Sequence, residues 1–334
     1  MSWLDLTFAG LAFFLILLGI CRFMAQRIDR HAVTQCPPQA PLQKLGSIQW
    51  HAVRMEPAVE NTSTAPSERI TVLMVHGIGG NLRHFQMNMQ ADLAKTHTVI
   101  AIDRPGSGYS TCARALSLLE QAQALHAWLD QHDVGRVLIV GHSLGGAIAL
   151  AMAQQRPERV AGLSLIAPFT AAITKPPTVF LPLALVPHQL FGLFAYTLLP
   201  VMAQALQRLN LQFVFSPVPT PNCFTTQGGG DLSKRPSQLL ALMHDMRHAK
   251  RDIQCIQAQC QHMTLPVQVL YDRADRVLEA QLHGAQLPTR LPKAQVSLID
   301  NGGHMLPITQ STYCVNWVRQ QLHCIESTPH AHLD

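Results

Sequence analysis

The chain has 334 residues, 48% of them apolar and 13% charged, and carries a formal charge of +5. That length suits one large α/β domain with an insertion, and that apolar content supports a substantial core. The small, scattered charge excess argues against nucleic acid as a partner and fits a mild attraction to anionic lipid. Seventeen histidines form no H-E-x-x-H pattern, so most read as surface residues, and neither a metal nor a cofactor is expected. The eight cysteines show no C-x-x-C spacing, and free thiols in a reducing compartment are the expected state.

Leu6 to Cys21 is an uncharged apolar run close to the length of a membrane helix. A cleaved signal peptide calls for basic residues before the run and small ones after it. Here Asp5 precedes it, and Arg22, Phe23 and Met24 follow. A buried soluble helix would show a polar stripe, and the run has none. Residues 1–25 therefore read as a single-span anchor. Arg22, Arg27 and Arg30 on its C-terminal side place the remainder of the chain in the cytoplasm. Residues 26–47, with Pro37, Pro38 and Pro41, read as a semi-extended linker that holds the domain off the bilayer.

From Ile48 a first strand reaches Met55, and Pro57 to Ser67 is a polar surface loop. Ile70 to Val75 is a continuous apolar strand ending at His76-Gly77, followed by a helix over Leu82 to Lys95 and a strand over Thr98 to Ile102. The turn Asp103 to Ser110 is rich in Gly and Pro. Ser117 to Gln131 is amphipathic, with Leu118, Ala122, Leu125 and Leu129 on one face. Val137 to Val140 is a short, mostly β-branched strand, and Leu144 to Gln154 an Ala- and Gly-rich helix. Between them lies Gly141-His142-Ser143-Leu144-Gly145. A serine on a sharp strand-to-helix turn is strained, exposed and next to free helix N–H groups. Val160 to Ala167 is another strand, so a core over 48–170 alternates strands with helices and predicts a parallel sheet.

Residues 171–262 break that rhythm. Val179 to Leu211 is strongly apolar but interrupted by Pro182, Pro187 and Pro200, which predicts packed cap helices rather than one span. Gln227 to Gly230 reads as a flexible turn and hinge, and Ser233 to Ile253 as a helix returning to the core. Residues 263–325 complete the core, with strands at Val267 to Tyr271 and Val296 to Ile299 and a closing helix over Thr309 to His323. Residues 326–334 are a polar tail.

Four stretches together resemble the serine hydrolases of the α/β-hydrolase superfamily: the Ser143 turn, His76-Gly77-Ile78-Gly79-Gly80, Asp103 to Ser110, and the late pair Asp275 and Gly303-His304. The resemblance covers roughly residues 48–325. It implies an α/β-hydrolase fold, a mostly parallel sheet flanked by helices with a helical cap. It implies Ser143 as nucleophile and Asp275 as the acid after the penultimate strand, with Asp272 as runner-up. His304, after the last strand, is the implied base. The backbone N–H groups of Ile78 and Leu144 are the implied oxyanion donors. Asp103 and Arg104 are assigned structural roles.

Anchor and greasy cap together are similar to anchored monoacylglycerol lipases and related carboxylesterases. The leading expectation is a membrane-associated ester hydrolase acting on small-molecule or lipid esters with apolar acyl chains. C–C bond or thioester hydrolysis on the same scaffold is the alternative, and a non-catalytic binding protein a third. Dehalogenase and epoxide hydrolase readings fail, because they need a carboxylate where Ser143 stands.

Overall fold

The computed structural model describes residues 3–57, 70–173, 177, 180–285, 287–291 and 293–327. Most of the polar loop after Pro57, Val179 at the start of the cap, and the tail beyond Ser327 lie outside the described residues.

Helix α1 (Trp3–Gln35) opens the chain. Its first part is bare, with Phe8, Phe13, Leu15, Ile16 and Phe23 exposed. It is the one unbroken helix among the described residues that is long and apolar enough to cross a membrane. Further along, Cys21, Ala25 and Ala32, with Cys36 just beyond the helix, are buried at spacings that form one helical stripe. Ala32 and Cys36 pack with Leu232 and Tyr109. Asp29 pairs with Arg235 at 2.7 Å, and Tyr109 donates to the Cys36 carbonyl at 2.6 Å. The expected linker over 26–47 is thus corrected. Its prolines all follow the helix end, so nothing interrupts residues 26–35, and small residues let the helix sit directly on the domain.

The chain then makes β1 (Gln43–Leu45), β2 (Ile48–Trp50) and β3 (Ala52–Met55), so the single first strand expected over 48–55 is broken at His51. After β4 (Thr71–Val75), two short helices, α2 (Arg83–Gln86) and α3 (Met89–Leu93), replace the one expected over 82–95. Next come β5 (Val99–Ile102), β6 (Thr111–Cys112) and α4 (Leu118–Gln131). Ser117 caps α4 through the Glu120 N–H while Glu120 returns the bond to the Ser117 N–H. Then follow β7 (Val137–His142), α5 (Leu144–Gln155) and β8 (Val160–Ile166).

The cap comprises α6 (Leu181–Ala184), α7 (Phe191–Ala195) and α8 (Leu198–Phe215), with a bend of 70° between the segments leading into and out of Tyr196-Thr197. Helix α9 (Pro236–Cys260) returns to the core, followed by β9 (Val267–Asp272), β10 (Ala294–Ile299), α10 (Leu306–Thr309) and α11 (Ser311–Glu326). The expected hinge at 227–230 is instead a packed turn. Gly228 to Gly230 are buried, and Asn81 donates to the Gly229 carbonyl at 3.1 Å.

Among the described residues seven strands form the main sheet in the order β10-β9-β8-β7-β4-β5-β3, all parallel except β3, which runs antiparallel to β5. Alternation along β4 sorts its side chains to two cores. Leu73 and Val75 face α4, α5 and α9, while Val72 and Met74 face α2, α3 and α11. With both faces covered, the central strands β4, β5 and β7 are buried along their whole length and largely apolar, and the C-terminal ends of the parallel strands open onto one edge beneath the cap.

Candidate active site

Strand β7 passes into α5 through Ser143, whose backbone sits at φ 54°, ψ −121°. A non-glycine residue there costs about 1–3 kcal/mol and persists only where its surroundings hold it. The Ser143 N–H donates to the Ile166 carbonyl at 3.0 Å, and its carbonyl accepts from Phe169 N–H at 2.8 Å and Gly146 N–H at 2.9 Å. The turn closes because Gly145 lacks a side chain: a Cβ there would lie 2.1 Å from the Val75 carbonyl oxygen. The end of β4 also presses on the serine, since a Cβ on Gly77 would lie 2.8 Å from that of Ser143.

The loops after β9 and β10 bring Asp275 and His304 together. His304 Nδ1 donates to Asp275 Oδ2 at 2.7 Å, which leaves Nε2 as the acceptor end of the ring. Asp275 Oδ1 accepts from the N–H groups of Val277 (2.7 Å) and Leu278 (3.0 Å), so both carboxylate oxygens are engaged. Asp272 does something else. Its oxygens take the Ala274 N–H at 2.7 Å and the Gly302 N–H at 2.6 Å, tying the two loops to each other. Asp103 likewise has its carboxylate occupied, by Leu82 N–H, Tyr109 N–H and His51.

Ser143 and His304 line one apolar cavity of about 210 Å³, with walls from α8 (Leu199, Met202) and α9 (Leu239, Leu242). A second, of about 430 Å³, meets it at Ser143 and Ile78 and runs past Leu144, Phe169, Phe191 and Met243. Ile78 and Leu144 therefore flank the serine. Neither backbone N–H finds a protein acceptor among the described residues. All five residues expected at the site lie around this one junction.

Sequence reasoning missed the second ring of histidines. His142, the variable residue of the serine turn, donates from Nε2 to the His304 carbonyl at 3.0 Å and so fixes the loop that carries that ring. Burial, and then His304, push the His142 imidazole well below its ordinary range. The same two causes lower His84, a cavity wall, to about 4. His283 is also lowered to about 4, chiefly by burial, and accepts from the N–H groups of Thr170 and Ala171. These rings stay neutral near pH 7, so positive charge forming on His304 would meet no like charge from them. Periodicity could not flag them, because His142 ends its strand and His84 and His283 sit on helical segments of four and five residues, too short to carry a pattern.

Residues 70–311 match the family described as alpha/beta hydrolase fold. The chain belongs to that family. Among curated relatives of this α/β hydrolase, the acetyltransferase component of an acetoin cleaving system from Pseudomonas putida is 44% identical over 99 residues. That match spans 29% of this chain and only 26% of the relative. A lipase from Acinetobacter baumannii superposes with TM-score 0.64 at 20% identity, covering 90% of this chain and 96% of its own. A bacterial membrane phospholipase A superposes with TM-score 0.62 at 17% identity, covering 97% of this chain and 98% of its own. At such identities the two structures speak to the fold alone.

Proposed function

We propose that this α/β hydrolase is a membrane-associated serine esterase of the lipase type, with Ser143, His304 and Asp275 as its triad. The observation that carries the reading is the buried His304–Asp275 pair, 2.7 Å apart across two loops, whose histidine shares a cavity with the strained Ser143. His304 Nε2 takes the Ser143 proton as Oγ attacks the acyl carbonyl, and Asp275 stabilises the resulting imidazolium. The N–H groups of Ile78 and Leu144 receive the oxyanion, an arrangement whose loss typically costs about 10²–10³ in rate. His304 then protonates the departing alcohol. Water, activated by the same ring, releases the acid from the acyl-enzyme.

Two apolar cavities meeting at the serine suit an ester with apolar groups on both sides of the scissile bond. The bare stretch of α1 supports anchoring in a bilayer, and Arg22, Arg27 and Arg30 at its end support a cytoplasmic domain. A fluorophosphonate probe should label the wild type and leave Ser143→Ala unlabelled. Hydrolysis of p-nitrophenyl esters should rise with chain length. An unlabelled wild type, or a sharp preference for acetate, defeats the reading.

A further inference from the structure

A trans peptide points its C=O and its N–H in opposite directions. The Gly77 carbonyl and the Ile78 N–H belong to one peptide, so whatever grips the carbonyl aims the N–H. The grip is unusually complete. Gly77 O accepts from Arg104 Nη2 at 3.1 Å, from His76 Nδ1 at 2.9 Å and from Gly80 N–H at 3.3 Å. His76 Nε2 accepts the Arg104 N–H at 3.0 Å, which requires the neutral ring with its proton on Nδ1. Burial, helped by Arg104, holds His76 well below its ordinary range and keeps it in that form.

Arg104 is itself held. Its side chain is fully buried, and Nη2 also donates to Asp245 Oδ2 at 2.8 Å while Nη1 donates to Gln121 Oε1 at 2.8 Å. Gln121 Nε2 closes the ring by donating to Asp245 Oδ1 at 2.9 Å. Asp245 sits on α9, whose neighbouring residues Leu242, Met243 and Met246 line the two cavities. A charged pair this deep is an expensive way to fill space, and apolar residues would do as well for stability alone.

We propose that Arg104 and Asp245 are positioning residues that aim the Ile78 N–H at the oxyanion and couple its aim to the seating of the cap-return helix α9. The proposal rests on the esterase reading. It makes substrate-induced shifts of α9 felt at the oxyanion site without any contact between substrate and Arg104.

The test compares Arg104→Lys, which keeps the charge opposite Asp245 but cannot hold Gly77 and Gln121 together, with the milder Gln121→Met, which leaves the ion pair intact. Rates are expressed per active site titrated with fluorophosphonate, so that unfolded protein is not counted. Expected for Arg104→Lys is a fall in kcat of about 10- to 100-fold with KM within about twofold, and a smaller fall for Gln121→Met. Affinity for a trifluoromethyl ketone, which forms a tetrahedral oxyanion, should fall in step with kcat/KM, while a fatty-acid product binds as before. A purely structural role would lower the titrated fraction and the Tm but leave the per-site rate and the ketone affinity unchanged, and that result overturns the proposal. A wild type that fails to titrate instead removes the esterase reading, and this inference with it.

Discussion

Asp275→Asn tests the proposed proton path in a way that the geometry makes unusually sharp. The Asp275 side chain has one oxygen on two backbone N–H groups, Val277 and Leu278, and the other on His304 Nδ1. In asparagine only one of those positions can be an oxygen. The two N–H groups need an acceptor, so the amide oxygen takes the Oδ1 place and the NH₂ turns to His304. Nδ1 must then accept, and the ring's proton moves to Nε2, the atom that has to receive the Ser143 proton. The fold keeps its loop hydrogen bonds, but the base is held in the wrong tautomer. The expected loss is about 10⁴ in kcat, roughly 5.5 kcal/mol of transition-state stabilisation at ~1.36 kcal/mol per decade, with KM little changed. Asp275→Ala makes the contrast. It frees either tautomer, so its kcat should exceed that of the asparagine variant. Its Tm should be lower, because two buried N–H groups lose their acceptor at about 1–3 kcal/mol each. Steady-state ester hydrolysis with thermal melts of both variants decides it. An asparagine variant within tenfold of wild type, or slower in alanine than in asparagine, refutes the reasoning.

Two further outcomes follow from the described packing. His84 and His283 are lowered to about 4 in the folded protein, mainly by burial, against a free value near 6.5. The unfolded chain therefore binds more protons between those values. Stability is fully present above about pH 6.5 and is lost as the pH falls toward about 4, by on the order of 3 kcal/mol per ring. Melting curves between about pH 7 and pH 4.5 should show a falling Tm, and a flat profile contradicts the burial argument. Truncation at Met24 should leave a soluble domain with near-wild-type turnover of short esters. Truncation at Gln35 should lower the Tm by several degrees, because it bares Leu232 and leaves Arg235 without Asp29. Equal melting temperatures for the two truncations would mean that the buried stripe of α1 contributes nothing.

The core was legible because its signals are local. The β-branched run Val137 to Val140, the glycines around Ser143 and the cap at Ser117 each dictate backbone geometry within a few residues. Motif spacing favoured Asp275 over Asp272; Asp275 is the carboxylate that reaches His304, and the hydrogen bonds give Asp272 a separate task between the loops. What could not be read were pairings across the chain. Asp29 finds Arg235, Arg104 finds Asp245, and His142 finds the His304 carbonyl, at separations of more than a hundred residues. The prolines at 37, 38 and 41 suggested a linker beginning too early, since a proline reports only where a helix must have stopped. Gly228 to Gly230 looked loose for the same reason, because composition does not reveal that Asn81 and Phe224 press against them.

Helix α1 has no joint between its bare and its buried parts. At 1.5 Å per residue its 33 residues make a rod about 50 Å long. On the proposed anchoring, the domain stands on a fixed mast instead of hanging from a tether. Its height and tilt over the bilayer are set by the stripe from Cys21 to Cys36. Such an enzyme cannot swing freely to survey the membrane around it. It meets the molecules that diffuse up to its own footing, always from the same side.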